Sequence, residues 1–214
     1  MKFAIFDMDG TLTESMGVWE DAPGAVLGRH GLTPKPDLRP RIIEMTQEDG
    51  CRLILEEYGL KMTLPQLVEE YYQVVEELYE QVPLKPGVKK ALEEMHRAGV
   101  RMAVASSTRA ATVEKVLTRL GIRPWFEGVF SCRDGQGKKA GPFVYQEAAK
   151  ALGAEDPEEV RVFEDAYHAV LSAKKGGFPV TGVYDRFCVV DSETMAAACD
   201  RYMNSWEEFR LEDY

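Results

Sequence analysis

Long apolar runs alternate along the chain with segments of helical spacing. Four runs lack polar alternation, which predicts buried parallel strands, and a weaker fifth candidate lies at residues 129–130. Between the runs, apolar side chains recur at i, i+3, i+4 and i+7, the spacing of one buried helix face. This alternation predicts an α/β fold with a doubly wound, mostly parallel sheet. The four main runs are residues 3–6, 102–105, 160–163 and 180–184.

A long helical insertion interrupts the alternation after the first predicted strand. That strand ends near Asp7, yet the next core helix does not begin until about Pro86. Loops that join a strand to a helix usually take about 2 to 6 residues, so the intervening stretch must fold by itself. The sequence therefore predicts a core from residues 1–14 and 85–214, and an inserted α-helical cap domain from residues 15–84.

Composition and charge narrow the class of protein. The 214 residues are 45% hydrophobic and 29% charged, which is typical of a globular chain. Lys and Arg total 26 against 36 Asp and Glu, and the net charge of −10 repels nucleic acid and anionic membrane surfaces. No apolar run approaches the roughly 18 residues of a membrane-spanning helix. We expect a cytoplasmic monomer or weak homo-oligomer, with neither nucleic acid nor membrane as a partner.

The sequence DMDGT at residues 7–11 directly follows the first predicted strand. In an extended chain, residues i and i+2 face the same side, so Asp7 and Asp9 point together out of the strand end. One alternative is an ordinary loop turn, and another is a calcium-binding loop of the EF-hand type. An EF-hand requires Glu at the twelfth loop position, where this chain has Val18, so that alternative fails.

Hydroxyl side chains follow the second predicted strand. Ser106 and Ser107 stand at its carboxyl end, before a helix whose free amide groups can bind a phosphoryl oxygen. Serine and threonine are also ordinary helix caps. The alternative is therefore that Ser107 or Thr108 only caps the helix from Thr112.

Two further motifs complete the candidate site. Lys138 and Lys139 lie in a Gly-rich loop before a helix, and Glu164 and Asp165 end the apolar run at residues 160–163. The alternatives are solvated surface lysines and acidic residues that complement a helix dipole. Clustered carboxylates repel one another by roughly 1 to 4 kcal/mol per pair at about 4 Å, which a cation relieves. Oxygen ligands select a hard divalent metal, and few protein ligands beside a phosphate favour Mg²⁺ over Ca²⁺.

These four motifs resemble those of the haloacid dehalogenase superfamily, and the helical insertion resembles its phosphatase and β-phosphoglucomutase-like branch. The resemblance implies a Rossmann-like core, with Asp7 as the nucleophile and Asp9 as the general acid and base. The third motif departs from the family pattern, since it lacks the first Pro and the Asp, and alignment favours Lys139 over Lys138. The resemblance implies phosphoryl binding by Ser106, Ser107 and Lys139, and Mg²⁺ ligation by Asp7, the Asp9 carbonyl, Glu164 and Asp165.

The resemblance implies a Mg²⁺-dependent phosphatase for a small phosphorylated metabolite, such as a sugar phosphate, acting through an aspartyl phosphate. A sugar phosphomutase is the alternative, and a non-catalytic sensor of such a metabolite is a third. Related mutases carry a His and an Arg in the cap where this chain has Trp19 and Gln47, which favours the phosphatase. The cap residues expected to set specificity are Ser15, Trp19, Thr46 and Gln47.

Overall fold

The computed structural model describes residues 1–42, 45–132 and 141–214. The chain forms two compact units, one from residues 1–14 and 83–214 and the other from residues 15–82. Residues 83 and 84, assigned to the cap from the sequence, fall in the first unit. Leu84 forms an antiparallel bridge with Thr13, and the Glu14 amide donates to the Pro83 carbonyl at 3.1 Å.

The first unit contains a six-stranded sheet in which every neighbouring pair is parallel. Its order is β3-β2-β1-β4-β5-β6, which confirms the predicted α/β fold. The four residues of β1 are all buried, because β1 lies in the middle of the sheet and carries an apolar run. The sequence analysis did not predict β6. The strands are β1 (Phe3–Phe6), β2 (Arg101–Ser106), β3 (Phe126–Ser131), β4 (Val160–Glu164), β5 (Val180–Val183) and β6 (Arg201–Met203).

The helices of the first unit bury the apolar faces that their spacing predicts. In α5, for example, Val88, Leu92 and Met95 are fully buried, whereas Lys89 and Lys90 are exposed. These helices are α5 (Val88–Arg97), α6 (Ala110–Arg119), α7 (Phe143–Ala151), α8 (Tyr167–Lys175) and α9 (Ser192–Ala198).

Aromatic side chains attach the C-terminal segment to the middle of the sheet. Phe6 and Phe163 stack with ring centroids 4.9 Å apart, and Trp206 packs on Phe163 at 5.0 Å. Trp206 Nε1 also donates to the Thr11 carbonyl at 2.8 Å. The C-terminal segment therefore helps to fix the loop that follows β1, which carries the first motif.

The second unit is helical. Thr46 caps α3 by accepting a hydrogen bond from the Asp49 amide, and α4 begins with a capping box formed by Thr63 and Gln66. Within the described ranges of both units, no helix is long and apolar enough to cross a membrane. The helices of the second unit are α1 (Met16–Arg29), α2 (Leu38–Ile42), α3 (Gln47–Tyr58) and α4 (Leu64–Tyr79).

Candidate active site

Strand pairing brings two of the predicted motifs together. Phe6 lies opposite Phe163 in the parallel pairing of β1 with β4, and the Asp7 amide donates to the Phe163 carbonyl at 3.0 Å. Asp7 follows the end of β1, while Glu164 ends β4 and Asp165 follows it. All three carboxylates therefore stand at the carboxyl edge of adjacent central strands, which is where doubly wound sheets bind ligands.

These three residues form a compact acidic cluster. Each offers a carboxylate oxygen, and the three oxygens lie within 4.8 Å of one another. All three side chains belong to buried residues, with Asp7 5%, Glu164 0% and Asp165 3% exposed. Burial, together with the charges of Asp7 and Glu164, holds the pKa of Asp165 well above its usual range. Thr11 Oγ1 opposes this shift by donating to Asp165 Oδ1 at 2.8 Å.

The donor set of the acidic cluster fits a hard divalent cation. It consists of carboxylate oxygens only, and like charges this close and this buried are costly without compensation. The raised pKa of Asp165 expresses the same repulsion, because protonation is the other way to relieve it. Asp7, Glu164 and Asp165 are thus suited to hold Mg²⁺.

Tyr145 fixes one member of the acidic cluster, and the sequence analysis missed this residue. Its phenol donates to Glu164 Oε1 at 2.7 Å, and both residues are fully buried. The amides of Asp165 and Ala166 donate to Glu164 Oε2 at 3.1 and 3.3 Å. A signal was available, since a tyrosine on the buried face of a helix needs a hydrogen-bond partner for its hydroxyl.

The carboxylate of Asp9 is not among the three members of the acidic cluster. Asp9 Oδ2 accepts a hydrogen bond of 2.6 Å from Thr108 Oγ1. The next residue, Gly10, has φ = 84°, a value that side-chain-bearing residues rarely adopt, so the chain turns sharply there. Of the two aspartates of the first motif, Asp7 thus belongs to the acidic cluster, and Asp9 accepts a hydrogen bond from Thr108.

The hydroxyl residues after β2 have distinct environments. Ser106 is fully buried and its Oγ accepts from the Thr108 amide at 3.0 Å, whereas Ser107 is exposed. The alternative that Ser107 or Thr108 caps a helix from Thr112 is wrong. Helix α6 begins at Ala110, its N-cap residue is Arg109, and no side chain caps it. The Thr108 hydroxyl donates to Asp9.

Comparisons with known proteins agree with this geometry. The haloacid dehalogenase-like hydrolase family matches residues 4–183. The chain belongs to this family. It is 29% identical over 181 residues to the phosphorylated carbohydrates phosphatase of Thermotoga maritima, covering 83% of this chain and 82% of that protein. It is 28% identical over 177 residues to hexitol phosphatase B of Escherichia coli, covering 80% of this chain and 78% of that protein.

A solved structure is similar over nearly the whole chain. A Thermotoga maritima protein assigned as a β-phosphoglucomutase superposes with a TM-score of 0.81 and 26% identity, covering 97% of this chain and 96% of that one. The predicted haloacid dehalogenase resemblance and the predicted core with its helical insertion are confirmed. The chain is an enzyme of this hydrolase family, and the two curated relatives named above are phosphatases.

The remaining predicted site residues are two lysines and four residues of the helical unit. Lys138 and Lys139 lie outside the described residues, so the phosphate-binding assignment of Lys139 stays a prediction. In the helical unit, Ser15 is buried at the start of α1, and the Trp19 ring packs edge-on against Tyr79 at 6.4 Å.

Two predicted specificity residues stand at the start of α3. Thr46 is its N-cap, and Gln47 is its first residue. In the same unit, burial raises the pKa of Tyr71 to about 12. The predicted roles of Thr46 and Gln47 in specificity stay predictions.

Proposed function

We propose that this hydrolase is a Mg²⁺-dependent phosphatase that cleaves a small phosphorylated metabolite of the sugar phosphate class. The observation that carries the proposal is the buried acidic cluster of Asp7, Glu164 and Asp165 at the carboxyl edge of the sheet. These residues, with the backbone carbonyl of Asp9, would hold the cation. When bound, Mg²⁺ supplies positive charge that stabilises the phosphoryl oxygens and keeps Asp7 ionised.

In the first step, Asp7 is the nucleophile and Asp9 is the general acid. A carboxylate oxygen of Asp7 forms a bond to phosphorus while the bond from phosphorus to the leaving oxygen breaks, giving an aspartyl phosphate. Asp9 donates its proton to the leaving oxygen. The hydrogen bond from Thr108 supports this role, because it holds the Asp9 carboxyl group in one orientation.

In the second step, water releases the phosphate. A water oxygen forms a bond to phosphorus, the Asp7–phosphorus bond breaks, and Asp9 accepts the proton from water. Both side chains return to their initial protonation states. We assign Ser106, Ser107 and Lys139 to the binding of phosphoryl oxygens, which is the main contribution of protein to this class of reaction.

The substrate class rests on the relatives. The Thermotoga maritima relative is named for phosphorylated carbohydrates and the Escherichia coli relative for hexitols. We propose that residues 15–82 act as a cap, in which Ser15, Trp19, Thr46 and Gln47 select the leaving group. We further propose a cytoplasmic monomer or weak homo-oligomer without nucleic-acid or membrane partners, consistent with the net charge of −10.

A sugar phosphomutase is the second candidate, because the chain shares its fold with a protein assigned as a β-phosphoglucomutase. A mutase must bind a second phosphate on its substrate. Trp19 and Gln47 occupy the positions where related mutases carry His and Arg, and neither side chain can be positively charged. The phosphatase is therefore the better supported function.

Phosphate release from a panel of small phosphate esters, with Mg²⁺ and with EDTA, tests the proposal. We expect Mg²⁺-dependent release by the wild type and none by D7N, with unchanged far-UV circular dichroism. Turnover by D7N would contradict the role of Asp7. A parallel assay for glucose 6-phosphate from glucose 1-phosphate, primed with the bisphosphate, tests the mutase, which we expect to be inactive.

A further inference from the structure

A buried ion pair lies outside the residues assigned so far. Lys85 Nζ is 2.8 Å from Asp185 Oδ2, and the two side chains are 9% and 2% exposed. Lys85 precedes α5, and Asp185 follows β5, at the carboxyl edge of the sheet. Because an isolated buried charge is costly, each of these residues depends on the other.

Hydrogen bonds connect this ion pair to the loop of the first motif. Lys85 Nζ also donates to the Tyr184 carbonyl at 2.6 Å, and the Phe187 amide donates to Asp185 Oδ1 at 2.9 Å. The Lys85 amide donates to the carbonyl of Leu12, the residue directly after DMDGT, at 3.0 Å. The pair thus joins the loop after β5 to the loop after β1.

The ion pair stands at the same edge of the sheet as the acidic cluster. In the pairing of β4 with β5, Glu164 lies opposite Gly182, so the chain segments that follow the two strands leave the sheet side by side. Asp165 directly follows β4, and Asp185 is the second residue after β5. The acidic end of the pair therefore follows the strand next to the one that carries Glu164 and Asp165.

We propose that Lys85 and Asp185 form a positioning pair that tunes the affinity of the acidic cluster for its divalent cation. Asp185 adds a fourth negative charge near the cation without being one of its ligands. Lys85 holds Asp185 in place and limits the excess negative charge. The inference rests on the proposed function, because it concerns the cation that the phosphatase requires.

Titration calorimetry of Mg²⁺ into the full chain tests this proposal on wild type, D185N, K85M and the double variant K85M/D185N. D185N leaves the Lys85 cation uncompensated, so we expect its Kd for Mg²⁺ to rise about tenfold, which corresponds to about 1.4 kcal/mol. The double variant removes both charges and should recover most of that loss. A Kd for D185N equal to wild type, or the same loss in D185N and the double variant, would overturn the proposal.

Two controls separate charge from folding. Circular dichroism identifies folded variants, and if D185N does not fold, the comparison of K85M with K85M/D185N replaces it. We expect K85M to bind Mg²⁺ more tightly than the double variant, and equal affinities would overturn the proposal. The pair Lys174–Asp200, 2.7 Å apart at the amino edge of the sheet, provides the control K174M/D200N, which should leave the Kd unchanged.

The same titrations distinguish this inference from the proposed function. A wild type that binds no Mg²⁺ would contradict the phosphatase proposal and the inference with it. A wild type that binds Mg²⁺ and releases phosphate, beside folded variants with unchanged Kd, would overturn only the role of Lys85 and Asp185.

Discussion

Replacement of Tyr145 by Phe tests how the fold holds the acidic cluster. The phenol donates to Glu164 Oε1 at 2.7 Å, and neither residue is exposed to solvent. A hydrogen bond to a charged group contributes about 1.5 to 3 kcal/mol, and both groups are shielded from bulk solvent. We therefore expect Y145F to lower the free energy of unfolding by that amount, and to weaken Mg²⁺ binding because Glu164 is less firmly oriented.

Urea unfolding in saturating Mg²⁺ measures the first effect, and calorimetric titration measures the second. Tyr202 provides the matched control, because its phenol makes a longer bond of 3.3 Å to Ser192 at an exposed position. We expect Y202F to change the free energy of unfolding by less than about 0.5 kcal/mol. If Y145F were as close to wild type as Y202F in both assays, the reasoning about the acidic cluster would be refuted.

Three further predictions follow from the described geometry. T108V should lower kcat by about tenfold in steady-state assays, because the general acid loses its orienting hydrogen bond, whereas T108S should keep most activity. Burial and neighbouring carboxylates raise the pKa of Asp165, so the folded state binds more protons than the unfolded state. In EDTA, the free energy of unfolding should therefore fall as pH rises from the usual pKa of Asp through the raised pKa of Asp165. Mg²⁺ should reduce this fall. A free energy of unfolding that does not change over this pH range in EDTA would contradict the prediction. G87A should destabilise by about 1 to 3 kcal/mol in urea, because Gly87 has φ = 87° and a Cβ there would lie 2.6 Å from the Trp206 backbone. G99A, with φ = 77° and open space around its Cβ, controls for backbone strain alone and should cost less.

The sequence alone predicted the features that depend on local pattern. The apolar runs at residues 3–6 and 160–163 identified two adjacent central strands, because a strand buried on both faces has little room for polar residues. Asp7 and Asp165 were predicted at one edge because parallel strands present their carboxyl ends together. Strand β6 was missed, since it is only three residues long and its first residue is an exposed arginine.

Partner choice between distant side chains was not predictable from pattern. For Thr108 the sequence suggested at most a helix cap, as one alternative, whereas its hydroxyl donates to Asp9, 99 positions away along the chain. The pairing of Lys85 with Asp185 was not predictable either, because in the sequence each resembles an ordinary charged loop residue. Only the fold shows that both are buried and in contact. Such contacts depend on how the loops meet, which spacing along the chain does not encode.

The central claim is that Asp7 takes the phosphoryl group while the acidic cluster holds Mg²⁺. Acid quenching during turnover of a cleaved ester, followed by peptide mass spectrometry, tests it most directly. We predict one added phosphoryl group on the peptide that contains Asp7, seen with Mg²⁺ and not with EDTA. Turnover in which every quenched sample carries no phosphoryl group, or carries it on another residue, would contradict the account.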